Sequence, residues 1–308
     1  MSAGREEFSM EISFGISPIS WTNDDLPELG ADTSLDTCLS EIKLAGYAGT
    51  ELSDKFPRDK FELQQVLQTH GLQLVSGWHS GRLLGDSLKT EIERIKPHLD
   101  LMAALGAPVL VYGETFNTVQ NQRFVPLSAR PMLESTEFKA YGERLTELAI
   151  FCAGQDVEIS FHHHMGTGVE SETELDLVME YTGQEVGLLV DTGHLLFAGG
   201  DLLGVIDRHG HRINHVHAKD IRKNVLKRID RTTDSFLDCV LDGVFTVPGD
   251  GMVDYSSVMQ SLANQNYSGW IVVEAEQDPQ KADPYKYACL GLDTLTEAAL
   301  KAGFSIVH

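Results

Sequence analysis

Four short apolar runs in the second half of the chain each lead into a side chain that can bind a metal ion or move a proton. In chain order these residues are His162, Asp191, His217 and Glu274. Short apolar runs bounded by turn residues are typical of buried parallel strands. If the four runs are neighbouring strands of one sheet, their polar ends meet at the same edge of that sheet. The pattern therefore predicts one active site built from strand ends.

Alternation along these predicted strands selects the side chains that face the site. Successive side chains of a strand point to opposite faces, so His215, His217 and Lys219 share one face. In the same way, Glu274 and Glu276 share one face of the last strand. A mixed set of carboxylates and imidazoles suits Mn²⁺, Co²⁺, Fe²⁺ or Zn²⁺ and is a poor match for a calcium cage. These faces predict a divalent metal site.

Three consecutive histidines follow the first of the four runs. Alternation sends His162 and His164 to one side and His163 to the other. We expect one of the three imidazoles to bind the metal, another to contact substrate and the third to be structural.

The elements that must position these residues repeat as a strand, a loop, a helix and a glycine. The first helix begins near Thr33 or Ser34 and stops at Gly46, and Pro97 predicts a kink or a break in the third. Eight such units without a linker between them predict an α/β fold, the (β/α)8 TIM barrel, in which strand ends form the catalytic rim. A doubly wound sheet is the main alternative. It usually has a glycine-rich loop after its first strand, and residues 17–21 contain no glycine.

Further residues near strand ends and in the connecting loops are expected to line the pocket. The predicted substrate contacts are Trp21, Glu51, Trp78, His79, Glu114, His164 and Arg222. The connection 115–134 is long for a loop between a strand and a helix, and loops of that length are more often functional than idle. We expect this loop to cover the site.

Composition restricts the classes of function. A chain of 308 residues with 42% apolar content can bury a large core. A net charge of −22 opposes a nucleic-acid partner, because phosphate binding rests on lysine and arginine. No apolar run approaches the roughly 18 residues of a membrane span, so we expect no membrane partner. Composition thus favours a globular protein with a small-molecule substrate.

Cysteine usage and the first residues indicate the compartment and the domain limits. The four cysteines are scattered without a CxxC pair and no signal peptide precedes them, which predicts free thiols in a reducing cytoplasm. Residues 1–9 are polar and precede a second methionine. We expect them to form a flexible extension before a single barrel domain at 10–308.

Several motifs resemble those of the xylose-isomerase-like TIM barrels, a superfamily that includes sugar isomerases, ketose epimerases and dehydratases. These motifs are Asp-Thr-Gly-His at 191–194, His-Ala-Lys-Asp at 217–220, Pro-Gly-x-Gly at 248–251 and Glu274. Within the superfamily, four stretches closely resemble the inosose dehydratases: 17–25, 162–167, 244–251 and 273–279. The likeness extends over residues 10 to 300.

The resemblance implies a divalent ion, Mn²⁺ or Co²⁺, held at the ends of strands five to eight. The superfamily's ligand positions correspond here to Asp191, His217 and Glu274. His162 stands where the superfamily generally has a glutamate, and either His164 or Glu114 is the alternative fourth ligand.

The resemblance also implies an activity. Inosose dehydratases are lyases of myo-inositol catabolism that remove water from 2-keto-myo-inositol (scyllo-inosose), a polyhydroxylated cyclic ketone, and give a trihydroxycyclohexane-dione. The metal is expected to polarise the ketone, and Glu274 is counted among the catalytic residues. Lys219, with a pKa lowered by a nearby cation, or His194 is expected to take the proton beside the ketone.

An isomerase or epimerase that acts on ketoses or keto-cyclitols through a metal-bound enediolate is the alternative function, because it needs the same apparatus. A homo-oligomer is compatible with the resemblance, since related barrels often pair through rim loops and helices.

Overall fold

Eight parallel strands close into a barrel in the computed structural model, which describes residues 10–307. The strands are Glu11–Ile16, Gly49–Leu52, Gln73–Gly81, Val109–Glu114, Glu158–Phe161, Val186–Asp191, Ile213–Ala218 and Gly269–Val273. Each strand pairs with the next, and the eighth pairs with the first from Ile12 opposite Gly269 to Ile16 opposite Val273. The predicted (β/α)8 barrel is confirmed, and the extension predicted at 1–9 lies outside the described residues.

Helices surround this barrel and cover the outer faces of its strands. They are Leu35–Ala45, Lys60–His70, Leu88–Leu105, Ser135–Ala153, Glu172–Tyr181, Thr192–Phe197, Leu202–His209, Lys223–Leu226, Phe236–Leu241, Tyr255–Asn264 and Pro284–Ala302. Local chemistry sets their ends, as predicted. The Ser34 hydroxyl accepts the N–H of Thr37, and Gly46 ends the first helix at a φ of 106°, which costs a glycine little.

The third helix runs without a break through Pro97, so the predicted division into two pieces is wrong. Ile95, Leu99 and Met102, on either side of the proline, are fully buried. The apolar face therefore packs continuously across the position where one helical hydrogen bond is missing.

Two further strand pairings extend the barrel beyond the predicted elements. Asp220–Ile221 pairs antiparallel with Phe245–Thr246, and Ser305–Ile306 runs parallel to the start of the first strand. The Asp220 carboxylate accepts the N–H groups of Gly249, Gly251 and Val253. This buried carboxylate thus holds the Pro-Gly-Asp-Gly turn against the end of the seventh strand.

The long connection 115–134 is held across the strand ends. The N–H of Leu127 donates to the carbonyl of Asp234 at 3.0 Å, and that of Ser128 donates to the carbonyl of Arg231 at 2.8 Å. The Arg130 guanidinium bonds Glu174 at 2.8 Å. The loop is therefore fixed to the segments that follow strands five and seven.

The four cysteines are free thiols, as predicted. Among residues 10–307, no helix combines the length and the apolar character needed to cross a membrane.

Candidate active site

A cavity of about 790 Å³ opens at the carboxyl ends of the strands. Six of the residues predicted for the site lie on its wall: Glu51, Trp78, His162, His164, His217 and Glu274. The predicted covering loop contributes its residues 117, 118 and 120–122 to the same wall. The closed barrel thus brings residues from both halves of the chain to one cavity.

Four of the predicted side chains present donor atoms to one point at the base of this cavity. The Oδ2 atom of Asp191 lies 3.6 Å from His162 Nε2 and 3.6 Å from His217 Nδ1. His217 Nδ1 lies 3.7 Å from Glu274 Oε2. An ion bound at about 2.1 to 2.2 Å spaces its ligand atoms by roughly 3 to 3.6 Å, so these separations match a divalent metal centre closely.

Hydrogen bonds on the far side of each ring turn the free nitrogen toward this point. His162 Nδ1 donates to the carbonyl of His163 at 2.5 Å, which leaves Nε2 as the acceptor. His217 Nε2 bonds Glu51 at 2.9 Å, which leaves Nδ1. Asp191 uses Oδ1 to accept the N–H of His194 at 2.7 Å. Each ligand is therefore oriented by a second contact, as metal-binding side chains usually are.

Two of the converging atoms, Asp191 Oδ2 and His217 Nδ1, are buried and have no hydrogen-bond partner among the described residues. The third, Glu274 Oε2, contacts Lys219 Nζ. Buried polar atoms without partners are costly, and their convergence is the mark of a position built for a ligand. A carboxylate and imidazole set of this kind fits a divalent metal ion.

Glu51 lies on the second strand and supports this cluster from below. Its Oε1 atom contacts Ser76 Oγ, His215 Nε2 and His217 Nε2 at 2.5, 3.2 and 2.9 Å. Burial by itself would raise the pKa of Glu51, but His217 and His215 hold it well below the usual value. Burial by itself would lower the pKa of His217, and Glu51 with Asp191 raises it to about 10. Glu51 is thus an anion committed to the histidines, and its contact with substrate from the cavity wall stays a prediction.

Lys219 is fully buried behind the wall and is surrounded by carboxylates. Its Nζ atom lies 2.6 Å from Glu276 Oε2, 3.6 Å from Asp191 Oδ2 and in contact with Glu274. Burial by itself would lower the pKa of Lys219, but Asp191, Glu274 and Glu276 outweigh burial and raise it. The expected lowering of this pKa depends on a bound metal cation beside Lys219 and stays a prediction. Lys219 is a cation that neutralises the acidic cluster.

His194 packs beside Lys219 and is also absent from the cavity wall. Its Nε2 atom accepts a hydrogen bond from Lys219 Nζ at 2.8 Å, and its side chain has 0% exposure. The Phe245 ring covers both residues, with its centroid 5.1 Å from that of His194 and 4.8 Å from Lys219 Nζ. An apolar roof thus keeps water from this pair.

Four predicted substrate contacts lie away from the cavity, and two of them do so because side chains alternate along a strand. The third strand extends to Gly81, so Trp78 faces the interior and His79 faces the helices. His79 Nε2 pairs with Glu91 of the third helix at 2.8 Å. Glu114 also points outward, where it accepts the N–H of Phe116 at 3.0 Å. His79 and Glu114 are therefore not substrate contacts as predicted, and Glu114 is not a candidate for the fourth metal ligand.

The other two predicted contacts are occupied by partners of their own. Trp21 is 1% exposed and donates its indole N–H to Glu41 at 2.6 Å. Arg222 bonds Asp250 at 2.7 Å and the carbonyl of Gly243 at 2.7 Å. Both residues stabilise loops around the site, which corrects the prediction that they bind substrate.

The structure adds Glu276 to the predicted set. Glu276 lies on the cavity wall, two positions beyond Glu274 on the same face of the chain. Burial raises the pKa of Glu276 to about 7, with a further contribution from Glu274. Alternation along the eighth strand already placed Glu276 beside Glu274, and this pattern could have identified it.

Comparison with known proteins gives the chain relatives of the same length. A family model described as a xylose isomerase-like TIM barrel matches residues 39–295. The rhizopine catabolism protein MocC of Rhizobium meliloti is 50% identical over 96% of this chain and 91% of its own. An inosose dehydratase of Geobacillus thermodenitrificans is 42% identical over 90% of this chain and 94% of its own. The predicted resemblance is confirmed.

A solved structure, that of the IOLI protein with a binding zinc atom, aligns with 94% of this chain and 97% of its own. The TM-score is 0.65 at 19% identity, which supports the fold alone.

Replacing Glu51 by glutamine tests its role in orienting His217. The Glu51→Gln variant should bind divalent metal about 10- to 100-fold more weakly, because a neutral amide is a weaker acceptor for the Nε2–H group and makes the imidazole a weaker ligand. Calorimetric titration of the chelator-stripped protein with Mn²⁺ measures the affinity. The matched control is Glu41→Gln, which changes a carboxylate bonded to Trp21 outside the cavity. Equal affinities of Glu51→Gln and wild type would contradict the assignment.

Glu114 predicts a dependence of stability on pH. Burial raises the pKa of Glu114 from 4.5 to about 7. The contribution of this group to the free energy of unfolding is therefore complete below pH 4.5 and is lost as the pH rises through about 7. Between about pH 5 and 8 the wild type should lose up to about 3 kcal/mol more stability than Glu114→Gln. Urea unfolding of both proteins at the two pH values measures this difference, with the exposed Glu147→Gln as control. Parallel pH profiles of wild type and Glu114→Gln would overturn the prediction.

Proposed function

The chain belongs to the xylose isomerase-like TIM barrel family, and we propose that it is a metal-dependent hydro-lyase that removes water from 2-keto-myo-inositol in inositol catabolism. Curated relatives named inosose dehydratase, at 40–42% identity over 90–94% of this chain, support this activity. The observation that carries the proposal is the convergence of unpartnered donor atoms at the base of the cavity.

The residues that would hold the metal are His162, Asp191, His217 and Glu274. Their mixed nitrogen and oxygen donors suit Mn²⁺ or Co²⁺. When bound, the ion supplies Lewis acidity that withdraws electrons from the ketone of the substrate. The protein keeps these donors in place through Glu51, which lies below the cluster. The Phe245 ring keeps the neighbouring Lys219 and His194 dry.

The reaction breaks two bonds on neighbouring carbon atoms of the ring. A base takes the proton from the carbon beside the ketone, and the hydroxyl of the next carbon leaves with a proton as water. The electron pair of the broken C–H bond forms the new C=C bond of an enol, which is the tautomer of the dione product. The site therefore needs a group on the cavity wall that can accept and return a proton.

Glu276 is placed to move this proton. Unlike Lys219 and His194, its carboxylate lies on the cavity wall, where it can reach a bound substrate. Lys219 lies 2.6 Å behind Glu276 Oε2, and His194 Nε2 lies 3.7 Å from Oε1. We assign proton transfer to Glu276, with Lys219 and His194 as the residues that position it. This assignment replaces Lys219 as the expected base.

Turnover of 2-keto-myo-inositol by chelator-stripped protein, with and without added Mn²⁺ or Co²⁺, tests the activity. We expect metal-dependent growth of the ultraviolet band of a conjugated enol and loss of one water from the substrate mass, because elimination produces both. A rearranged product of unchanged mass would identify an isomerase or epimerase instead. Full turnover in stripped protein that contains no metal would contradict the metal site.

Replacing Glu276 by glutamine tests the proton-transfer role. The Glu276→Gln variant should lower both dehydration and exchange of the proton beside the ketone by about 10²- to 10⁴-fold, because an amide cannot accept that proton. Proton exchange in heavy water is followed by NMR, and metal content is measured in parallel. Wild-type exchange with metal still bound would remove Glu276 from the role. Glu147→Gln, on the surface, is the matched control.

A further inference from the structure

Trp78 stands on the cavity wall at the level of the metal-ligand cluster. Its ring centroid lies 5.6 Å from that of His162 and 5.7 Å from that of His164, with both imidazoles turned edge-on to the indole. The side chain is half-buried, so part of the indole faces the cavity. A substrate held near the ligand cluster therefore lies beside an aromatic surface.

Two neighbours determine which part of the indole is available to a ligand. The indole N–H donates to Ser80 Oγ at 2.9 Å, so its polar group is already used. Gly113 lies on the adjacent strand, and a Cβ atom there would come within 2.0 Å of the indole Cη2 atom. Gly113 thus leaves the space in which the six-membered ring of the indole rests against the wall. What remains for the cavity is an apolar ring surface.

The barrel brings this surface to the same cavity as the group proposed to move the proton. Trp78 lies on the third strand and Glu276 follows the eighth, and both line the cavity wall. A substrate ring in the cavity can therefore contact both side chains.

On the basis of the proposed function, we propose that Trp78 is a stacking platform that selects six-membered rings whose hydroxyl groups are all equatorial. Such rings carry axial hydrogens on both faces and so offer an apolar C–H face to the indole. An axial hydroxyl directed at the indole would lose its contacts with water and gain no hydrogen-bond partner, because the indole N–H is committed to Ser80.

The platform also fixes which face of the ketone meets the base. In an all-equatorial chair, the two carbons beside the ketone carry their axial hydrogens on the same face. Only an axial C–H bond lies parallel to the π orbital of the carbonyl, so the base must approach that face. With the opposite face on Trp78, the two reactive hydrogens remain accessible to the base.

Two inositols that are not substrates for elimination separate this inference from the proposed activity. scyllo-Inositol has six equatorial hydroxyls, whereas D-chiro-inositol has one axial hydroxyl on each face and cannot offer a C–H face to the indole. Calorimetric titration of the metal-loaded protein gives both dissociation constants. We expect the wild type to bind scyllo-inositol about tenfold more tightly than D-chiro-inositol.

Three variants test whether Trp78 causes this preference. Trp78→Leu should bring the ratio of the two affinities close to one, and Gly113→Ala should do the same while it keeps the indole, because the new methyl group displaces the ring. Trp78→Phe, which retains a smaller aromatic surface, should preserve part of the preference. Trp21→Phe is the matched control, a tryptophan outside the cavity, and should keep the wild-type ratio. Circular dichroism checks that each variant is folded.

The outcomes are distinguishable from those of the turnover experiment. A wild-type protein that binds both inositols equally, or that binds neither, overturns the platform even if the ketone is dehydrated. A wild-type preference that persists in folded Trp78→Leu and Gly113→Ala overturns it as well. A preference for scyllo-inositol that these two variants abolish supports the platform, and it does so even where dehydration of the ketone is not observed.

Discussion

Burial of three carboxylates within one small volume is the constraint on which the site depends. Asp191, Glu274 and Glu276 converge near the barrel axis, where charges that lack partners are very costly. The protein offsets this cost with Lys219, placed among all three, and with His217, held between Glu51 and the cluster. Direct contacts among these side chains therefore balance the charges of the site.

The same balance gives the site two distinct layers. The deeper layer holds donor atoms without partners, and a divalent cation placed there would complete their coordination. Behind the wall, Lys219 and His194 form a dry pair under Phe245 and are shielded from substrate. Glu274 and Glu276 join the two layers, since both contact Lys219 and both face the cavity. Acid–base and metal chemistry are thereby brought together in one small volume.

The second half of the barrel supplies the donor atoms of the site. The first half orients these donors and forms part of the cavity wall. Glu51 from the second strand orients an imidazole of the seventh, and Trp78 from the third forms part of the cavity wall. Outward-facing residues of the same strands do different work: His79 and Glu114 bond the helix layer and the loop backbone. The alternation of strand side chains therefore separates catalytic residues from structural ones within one element.

Local patterns in the sequence by themselves determined the eight units, the caps of the helices and the strand-end residues that converge, because hydrophobic periodicity and capping depend on neighbouring residues. Only the tertiary structure decided which of these residues meet. Glu51 and His217 are separated by 166 positions, and nothing near either residue specifies their hydrogen bond. The third strand continues to Gly81, and its alternation turns Trp78 inward and His79 outward. Trp21 has its partner in the first helix, and Arg222 has its partners in the segment 243–250. Such contacts follow from how the elements pack, and no periodicity of the sequence records them.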